Sequence, residues 1–200
     1  GVGGVGVAVN LSGITQNIAG HGPLLDGHVL QSDGVIEDTL ISIEEIEGSN
    51  FADAFYAGRV GVVTFDGRAG DDWFYGGTED VSSMMRVSYG DAPARVIVNL
   101  SAAGITVGPT TVASMTAVDG YGGTDHFVLS ERDVEVSGSR FNDYLRGSDT
   151  DGVGLWGGAG NDTIIGGAGA FDYARFHADD NSTYGAIVNL SAASLTVSAA

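Results

Sequence analysis

The sequence predicts an all-β chain in which short strands stack as coils into two parallel sheets. Three observations predict this architecture. The chain repeats itself about every ninety residues, glycine-rich segments inside each repeat recur every nine or ten residues, and no long amphipathic helical pattern occurs. A fixed internal period is typical of stacked repeat proteins, because each unit buries its apolar face against the next one.

The long period is marked by the segment Val-Asn-Leu-Ser. Its three copies begin at Val9, Val98 and Val188. The spacing divides the chain into unit 1 at 1–97, unit 2 at 98–187 and the start of a third unit at 188–200. We therefore expect the sequence to be a fragment of a longer repetitive protein.

The short period lies in the middle of each unit, at about 48–80 and about 138–174. Each segment opens with small and polar residues, among which glycine permits positive φ, and this composition predicts a turn. The last three or four places, such as Asp-Trp-Phe-Tyr, predict a short strand with one inward side chain. The inward residue is expected near the eighth place, as at Leu145, Leu155 and Ile164 in unit 2 and at Phe74 in unit 1. Two such segments complete one coil of about eighteen residues.

The longer segments between these turns alternate between apolar and polar residues, which predicts strands joined by turns. Residues 39–48, with the sequence TLISIEEIEG, fit either a strand or a short helix. Their alternation favours the strand.

Composition excludes several classes of protein. The chain has 33 glycines among 200 residues, no cysteine and a formal net charge of −18. The missing cysteines exclude a disulfide scaffold and a cysteine-based zinc module. The negative charge argues against binding to duplex DNA, and no apolar run approaches the ~20 residues of a membrane span. A hydrophobic content of 43% indicates a folded chain, since disordered chains lack that much apolar surface.

Four aspartates hold the sixth place of a glycine-rich turn, and they form two pairs, Asp53 with Asp72 and Asp143 with Asp162. The members of each pair are 19 residues apart, about one coil, so the fold stacks each carboxylate above its partner. Two carboxylates held that close repel each other, and a cation between them removes the repulsion. Calcium suits this position better than magnesium, because it takes 6 to 8 oxygen ligands and accepts backbone carbonyls. The alternative is that these aspartates are solvated turn formers.

One nonapeptide, GGAGNDTII at 157–165, matches every place of the pattern G-G-x-G-x-D-x-U-x. GRAGDDWFY at 67–75 departs from it only at Arg68. The chain resembles the haemolysin-type (RTX) calcium-binding repeat family of secreted bacterial proteins. The resemblance implies a right-handed parallel β-roll or β-helix, calcium between successive turns, type I secretion and a location outside the cell or on its surface.

The resemblance also implies which atoms bind the metal. The ligands are the sixth-place aspartates named above and the carbonyls of the first and third places, at Gly48, Asn50, Gly67, Ala69, Gly138, Arg140, Gly157 and Ala159. Asp172 comes one place late. We expect the opposite edge either to use Asp172 irregularly with Asp149 and Asp151 or to hold no metal. Turns without a sixth-place aspartate predict few sites rather than a continuous ladder of ions.

No group of residues predicts catalysis, because the histidines lack the spacing of a zinc site and no serine lies in a nucleophile elbow. The expected function is therefore that of a calcium-binding structural module that folds outside the cell. The alternative is a polysaccharide-binding or accessory module of a secreted enzyme or adhesin. The side chains of Trp73, Tyr75, Tyr144 and Trp156 bear on this choice. Their spacing favours packing beneath the long segments and leaves open an outward patch for an extracellular glycan or surface protein.

Overall fold

The computed structural model describes residues 6–18, 22–31, 36–58, 61–77, 83–129, 134–150, 152–169 and 171–176. The predicted third unit at 188–200 and Asp151 lie outside these ranges. The described residues form β-strands and no helix. The prediction of an all-β chain is confirmed for this part of the molecule.

Most strands are three or four residues long, as the short nonapeptide pattern predicts. In chain order they are β1 (Ala8–Asn10), β2 (Gln16–Ile18), β3 (Gly22–Leu24), β4 (His28–Leu30), β5 (Ile36–Thr39), β6 (Glu45–Glu47), β7 (Ala54–Tyr56), β8 (Gly61–Asp66), β9 (Trp73–Tyr75), β10 (Ser83–Ser88), β11 (Ile97–Asn99), β12 (Ile105–Val107), β13 (Thr110–Val112), β14 (Thr116–Val118), β15 (Thr124–Val128), β16 (Val134–Ser137), β17 (Tyr144–Arg146), β18 (Val153–Trp156), β19 (Thr163–Ile165) and β20 (Tyr173–Arg175). Residues 40–44 contain no strand, so only part of the strand predicted at 39–48 forms.

Two large sheets contain sixteen of these strands. The ten-stranded sheet has the spatial order β19-β17-β11-β14-β15-β9-β7-β1-β4-β5, and the six-stranded sheet has the order β20-β18-β16-β10-β8-β6. The chain alternates between the sheets from β6 to β10 and again from β15 to β20. Every pairing within the six-stranded sheet is parallel. Both sheets include strands from both units, so the two units form one continuous stack.

The core lies between the two sheets. The middle residues of β7, β9 and β17, which are Phe55, Phe74 and Leu145, are fully buried. The rings of Phe55 on one sheet and Phe65 on the other lie 5.0 Å apart. Residues of β8, β10, β16 and β18 complete the same apolar cluster. The expected inward position of the eighth-place residues Phe74, Leu145 and Leu155 is confirmed. Ile164 is half-buried and packs against the same core.

The Val-Asn-Leu-Ser segments begin an antiparallel excursion that interrupts the parallel stack. In unit 2, β11 leads into the hairpin β12–β13 and returns as β14, which pairs antiparallel with both β11 and β15. In unit 1, β1, the hairpin β2–β3 and β4 repeat this path. The Asn99 side chain holds the hairpin, because its Nδ2 donates to the Ala103 carbonyl at 2.9 Å and the Ala113 carbonyl at 2.8 Å. The Ser101 hydroxyl donates to Asn99 Oδ1, which explains why Asn and Ser recur together.

Candidate functional site: the aspartate-lined edge

The glycine-rich turns that carry the predicted aspartates share one edge of the stack. The turns at 48–53, 67–72, 138–143 and 157–162 each lead from a strand of the six-stranded sheet to a strand of the ten-stranded sheet. We call this side of the molecule the aspartate edge. The turn at 166–172 leads in the reverse direction, so Asp172 lies at the opposite edge. Each of these turns ends at its aspartate, and the next strand begins at the following residue.

Asp53 closes the turn between β6 and β7 and is 2% exposed. Its Oδ1 accepts hydrogen bonds from the Val7 N–H at 2.6 Å and from the Ser49 hydroxyl at 2.9 Å. Its Oδ2 accepts the Ser49 N–H at 2.6 Å. Both carboxylate oxygens therefore fix backbone groups, one in the same turn and one in the neighbouring coil.

Asp143 repeats this arrangement in unit 2. Its Oδ1 accepts the Val96 N–H at 2.7 Å, and its Oδ2 accepts the Ser139 N–H at 2.5 Å. The Ser139 hydroxyl also bonds to this carboxylate. The Gly-Ser dipeptide that opens both turns thus supplies the N–H and hydroxyl donors that hold the first aspartate of each pair.

The second aspartate of each pair lies one coil further along the stack. Its carboxylate accepts a hydrogen bond from the backbone N–H of the first aspartate. Asp72 Oδ1 accepts the Asp53 N–H at 2.8 Å. Asp162 Oδ1 accepts the Asp143 N–H at 2.9 Å. The structure therefore brings together the members of each predicted pair, and each contact uses one oxygen of the second carboxylate. The two pairs are not brought together, because β15, β14 and β11 lie between β9 and β17.

We call the hydrogen-bonded series of Asp53 and Asp72 the first ladder. Asp125 extends this ladder and was not predicted from the sequence. Asp125 Oδ1 accepts the Asp72 N–H at 3.1 Å, and Asp125 Oδ2 accepts the Tyr89 hydroxyl at 2.8 Å. The signal was present, because residues 120–128 read GYGGTDHFV, with Asp at the sixth place and Phe127 at the eighth. This nonapeptide lies outside the two glycine-rich runs and follows the antiparallel excursion, so a count from those runs does not reach it.

Asp119 lies beside this ladder and is also buried. Its Oδ1 accepts three successive backbone N–H groups, from Tyr121, Gly122 and Gly123, at 2.8 to 2.9 Å. Its Oδ2 and the Oδ2 of Asp72 are buried and have no hydrogen-bond partner. We call Asp72, Asp119 and Asp125 the buried aspartate cluster. It lies at the junction of the two units, where β9 pairs with β15.

Burial and mutual repulsion change the acid–base properties of this cluster. Burial, and after it the neighbouring Asp125 carboxylate, raises the pKa of Asp72 to about 8. Burial raises the pKa of Asp125 to about 7, although the Tyr89 hydroxyl bond opposes the rise. Burial also raises the pKa of Asp53, of Asp143 and of Asp162. All five carboxyls therefore hold protons more tightly in the folded chain than in water, and a bound cation would compete with those protons.

Glycine is required at the first place of these turns because oxygen atoms crowd its Cα. A Cβ added at Gly48 would lie 2.4 Å from Asp53 Oδ2 and 2.9 Å from the Gly67 carbonyl oxygen. A Cβ added at Gly138 would lie 2.5 Å from Asp143 Oδ2 and 2.6 Å from the Gly157 carbonyl oxygen. The carboxylate of one turn and the predicted carbonyl ligand of the next thus converge in both units.

The other predicted ligands lie on the turns without such contacts. Asn50, Arg140 and Ala159 are at exposed turn positions, and Ala69 is half-buried. The Arg140 guanidinium lies over the ring of Phe141. Asp172 accepts the Val153 N–H at 3.2 Å through Oδ1 and the Gly167 N–H at 2.6 Å through Oδ2. Asp172 therefore does at the opposite edge what Asp53 does at the aspartate edge.

The donor set decides how well these residues suit a metal. In the described ranges no three His, Asp or Glu side chains converge with the geometry of a metal site. The groups on the edge are nevertheless carboxylate and carbonyl oxygens, which calcium prefers. The two orphaned oxygens, on Asp72 and Asp119, are the atoms that a cation would satisfy. Within the buried aspartate cluster, Asp72 and Asp119 fit calcium best because each has one oxygen without a hydrogen-bond partner. Asp53, Asp143 and Asp125 fit it less well because both oxygens of each accept hydrogen bonds.

Aromatic side chains form a row on the outer face of the ten-stranded sheet. The rings of Tyr56 and Tyr75 stack with centroids 4.5 Å apart, and Trp73 stacks on His126 at 4.3 Å. Trp73 is 40% exposed. The expectation that Trp73 is packed beneath the long segments is therefore wrong: β9 directs it outward because its neighbour Phe74 faces the core.

Comparison with protein-family models, with curated proteins and with solved structures finds no match to this chain. The resemblance to the haemolysin-type repeats stays a prediction. Within the described ranges, no helix has the length and apolar character needed to cross a bilayer.

Proposed function

We propose that this chain is a non-catalytic, calcium-binding structural module of a secreted or cell-surface bacterial protein. Its two units form a right-handed parallel β-roll or β-helix that closes when calcium binds outside the cell. The single observation that carries the proposal is the Asp72 carboxylate. It is fully buried, one of its oxygens has no hydrogen-bond partner, and its pKa is raised to about 8.

The charge distribution supports this function. The chain has a formal net charge of −18, and the first ladder places Asp53, Asp72 and Asp125 in successive hydrogen-bonded positions. Ionising all of them in a buried site is unfavourable unless a cation compensates the charge. Calcium supplies that charge at the concentrations found outside cells, which are in the range that extracellular calcium modules use.

The two aspartates of each pair have different roles in this function. Asp53 and Asp143 hold the turns through the Gly-Ser N–H groups. Asp72 and Asp162 join neighbouring coils by accepting the N–H of the preceding aspartate, and each offers its second oxygen to the cation. Without calcium, repulsion at neutral pH opposes stacking of the coils. Calcium binding to the folded state then contributes folding free energy directly.

Thermal unfolding in calcium, magnesium and excess chelator tests the proposal. Calcium at 100 times its Kd stabilises the folded chain by about 2.7 kcal/mol per site. For a chain of this size, the melting temperature then rises by roughly 5 to 11 °C per site. Magnesium is expected to give a smaller rise. Identical melting curves in the three conditions would show that the proposal is wrong.

Matched variants locate the effect. Asp72→Asn and Asp162→Asn keep one acceptor oxygen for the neighbouring N–H and remove the negative charge, so each is expected to reduce the calcium-dependent rise. Asp91→Asn makes the same chemical change at an exposed position and is expected to leave the rise unchanged. A loss of the rise in all three variants alike would assign the effect to general charge.

The aromatic row favours a second candidate function, the binding of an extracellular polysaccharide. A cavity of about 280 Å³ lies beside the Tyr56–Tyr75 stack, and Ser12 and Gln16 line it with polar groups. Aromatic surface next to hydrogen-bonding groups is a common way to hold a sugar ring. Glycan arrays with Trp73→Ala and Tyr75→Ala test this, with Trp156→Ala as the comparison. Binding that is absent from the unmodified chain, or equal in all variants, would reject this function.

A further inference from the structure

The cavity beside the Tyr56–Tyr75 stack has a mixed aromatic and polar lining. It lies between the segment that leads from β1 into β2 and the carboxyl ends of β7 and β9, and its volume is about 280 Å³. The described residues that line it are Ser12, Ile14, Gln16, Tyr56, Ala57, Tyr75, Gly76 and Gly77. We call it the tyrosine cleft. Pockets for drug-sized ligands have roughly 300–1,000 Å³, so the tyrosine cleft suits a ligand of one ring.

The two tyrosines form a preorganised wall of this cleft. Their rings are parallel to within 4°, with centroids 4.5 Å apart, and both side chains are half-buried. Burial, and after it the neighbouring Tyr75, raises the pKa of Tyr56 above its ordinary value, so the Tyr56 hydroxyl stays protonated at neutral pH. The wall therefore offers apolar ring surface with polar hydroxyls at its rim and carries no charge.

Gln16 supplies hydrogen-bonding groups of fixed position. Its Nε2 donates to Ser12 Oγ at 2.9 Å. The Ser12 hydroxyl is itself held, because it donates to Asn10 Oδ1 at 2.6 Å. A carboxamide has two N–H hydrogens and an acceptor oxygen. One hydrogen and the oxygen of Gln16 are therefore available to a ligand, as a donor and an acceptor side by side.

Unit 2 has the same strand arrangement without the chemistry of the cleft. Strands β11, β12, β13, β17 and β19 repeat the pairings of β1, β2, β3, β7 and β9. By this correspondence, unit 2 carries Ile105, Arg146 and Ile165 where unit 1 carries Gln16, Tyr56 and Tyr75. The Arg146 guanidinium bonds instead to the Gly166 carbonyl and to Asp149. The fold therefore forms without the two tyrosines and the glutamine, and packing of the stack does not account for them.

We propose that the tyrosine cleft binds one uncharged sugar ring of a polysaccharide, with the Tyr56–Tyr75 wall against the apolar side of the ring and Gln16 bonded to its hydroxyls. The inference rests on the second candidate function, polysaccharide binding, and names the binding residues and the class of sugar. A pyranose ring suits this lining because it has C–H groups on its faces and hydroxyl groups around its rim. Aromatic surface beside a few directed polar groups is the usual composition of such a pocket.

Charge selects the class of sugar. None of the described residues that line the cleft is charged, and the chain has a formal net charge of −18. An anionic sugar would enter against the field of the chain and find no cation in the lining. A cationic sugar would lose water without gaining a carboxylate partner in the lining. An uncharged sugar avoids both costs.

Trp73 extends the site beyond the cleft. Its ring centroid lies 5.8 Å from that of Tyr75, on the same strand, and its side chain is 40% exposed. The stack with His126 at 4.3 Å holds the indole in place. The neighbouring ring of a polysaccharide would contact this surface. An oligosaccharide is therefore expected to bind more tightly than a single sugar.

A glycan array followed by calorimetry of the full chain in calcium tests the class of sugar. The charged probes are hexasaccharides of glucuronic acid and of glucosamine, and the uncharged probes are hexasaccharides of glucose, mannose, galactose and N-acetylglucosamine. At least one uncharged probe is expected to bind with a Kd at least about tenfold lower than either charged probe. Binding confined to charged glycans overturns this inference and leaves polysaccharide binding standing. An array with no binding at all rejects both.

Variants that borrow from unit 2 test the site. Gln16→Ile and Tyr75→Ile each introduce the residue that unit 2 carries at the same place, so both chains are expected to fold and to keep the melting temperature in calcium. Each is expected to weaken binding of the best uncharged glycan by about tenfold or more. Tyr144→Ala is the matched control, because it removes a half-buried aromatic side chain from β17 where unit 1 has Ala54. Unchanged binding in the two cleft variants, or an equal loss in Tyr144→Ala, overturns the proposal.

The length of the sugar separates the cleft from the outer tryptophan. Trp73→Ala is expected to weaken binding of the hexasaccharide and to leave binding of the monosaccharide within about twofold. Gln16→Ile is expected to weaken both. Monosaccharide binding that is lost in Trp73→Ala and kept in Gln16→Ile would place the sugar ring on Trp73 and contradict the cleft.

Discussion

Replacement of Asp72 by asparagine separates the charge of the buried aspartate cluster from its hydrogen bonds. In the folded chain, Asp72 Oδ1 accepts the Asp53 N–H, and Asp72 Oδ2 is buried without a partner. Asparagine keeps an acceptor oxygen for the Asp53 N–H and removes the negative charge. The variant therefore measures the free energy that ionisation of Asp72 costs the folded state.

The magnitude follows from the raised pKa. The unfolded chain releases the Asp72 proton near the ordinary pKa of 3.8, whereas the folded chain holds it until about 8. Between these values the unfolded state binds fewer protons, so the free energy of unfolding falls as pH rises. One pKa unit corresponds to about 1.4 kcal/mol, and the total loss from Asp72 is on the order of 5 kcal/mol. This destabilisation is absent below about pH 4 and complete near pH 8.

Thermal unfolding of the unmodified chain and Asp72→Asn in chelator, at about pH 4.5 and about pH 8, is the assay. At the higher pH the variant is expected to melt roughly 10 to 20 °C above the unmodified chain, since each kcal/mol shifts the midpoint by about 2–4 °C in a chain of this size. At the lower pH the two midpoints are expected to converge. Asp91→Asn controls for the loss of one surface charge. A variant that melts below the unmodified chain at about pH 8, as Asp72→Ala is expected to, would refute the reasoning.

Three further substitutions test the packing of the stack. Phe74→Ala empties a fully buried position and is expected to lower the free energy of unfolding by about 3–5 kcal/mol, while Phe171→Ala, at a 70% exposed position, serves as its control in the same urea titration. Gly77→Ala puts a Cβ 2.1 Å from the Cα of the neighbouring coil and is expected to cost about 1–3 kcal/mol. Gly90→Ala, whose nearest contact is 3.5 Å away, should cost less, and equal losses would contradict the crowding. Asn99→Ala removes the buried anchor of the hairpin β12–β13 and is expected to lower the free energy of unfolding by about 2 kcal/mol or more. Hydrogen exchange is expected to show loss of amide protection at 105–112. Unchanged protection there would show that the anchor is not needed.

The local features of the fold could be predicted from the sequence because they depend on neighbouring residues. The place of glycine in each nonapeptide determines the turn, and the apolar residue at the eighth place determines which side of the short strand faces the core. Phe74 and Leu145 are buried accordingly. The 19-residue interval between Asp53 and Asp72 likewise predicted that they lie in neighbouring coils, and the Asp53 N–H bond to Asp72 joins those coils.

Features that depend on distant residues could not be predicted. The sequence of β14 does not state that it pairs antiparallel between β11 and β15, because strand pairing depends on which backbone groups remain unsatisfied after the excursion. The stacking of Trp73 on His126, 53 residues later along the chain, could not be predicted for the same reason.

The sequence by itself determined the repeat, the all-β class, the inward residues and the register of the aspartates, because each follows from local periodicity. Only the tertiary structure decided that Asp53, Asp72 and Asp143 are buried rather than solvated, and that Asp162 is half-buried. Only the tertiary structure likewise decided that Asp119 and Asp125 join Asp72 at the junction of the units, and that the two units form one continuous stack. The physical reason is that burial and backbone hydrogen bonding depend on which coil lies next to which. That order is determined by strand pairing between residues far apart in the chain.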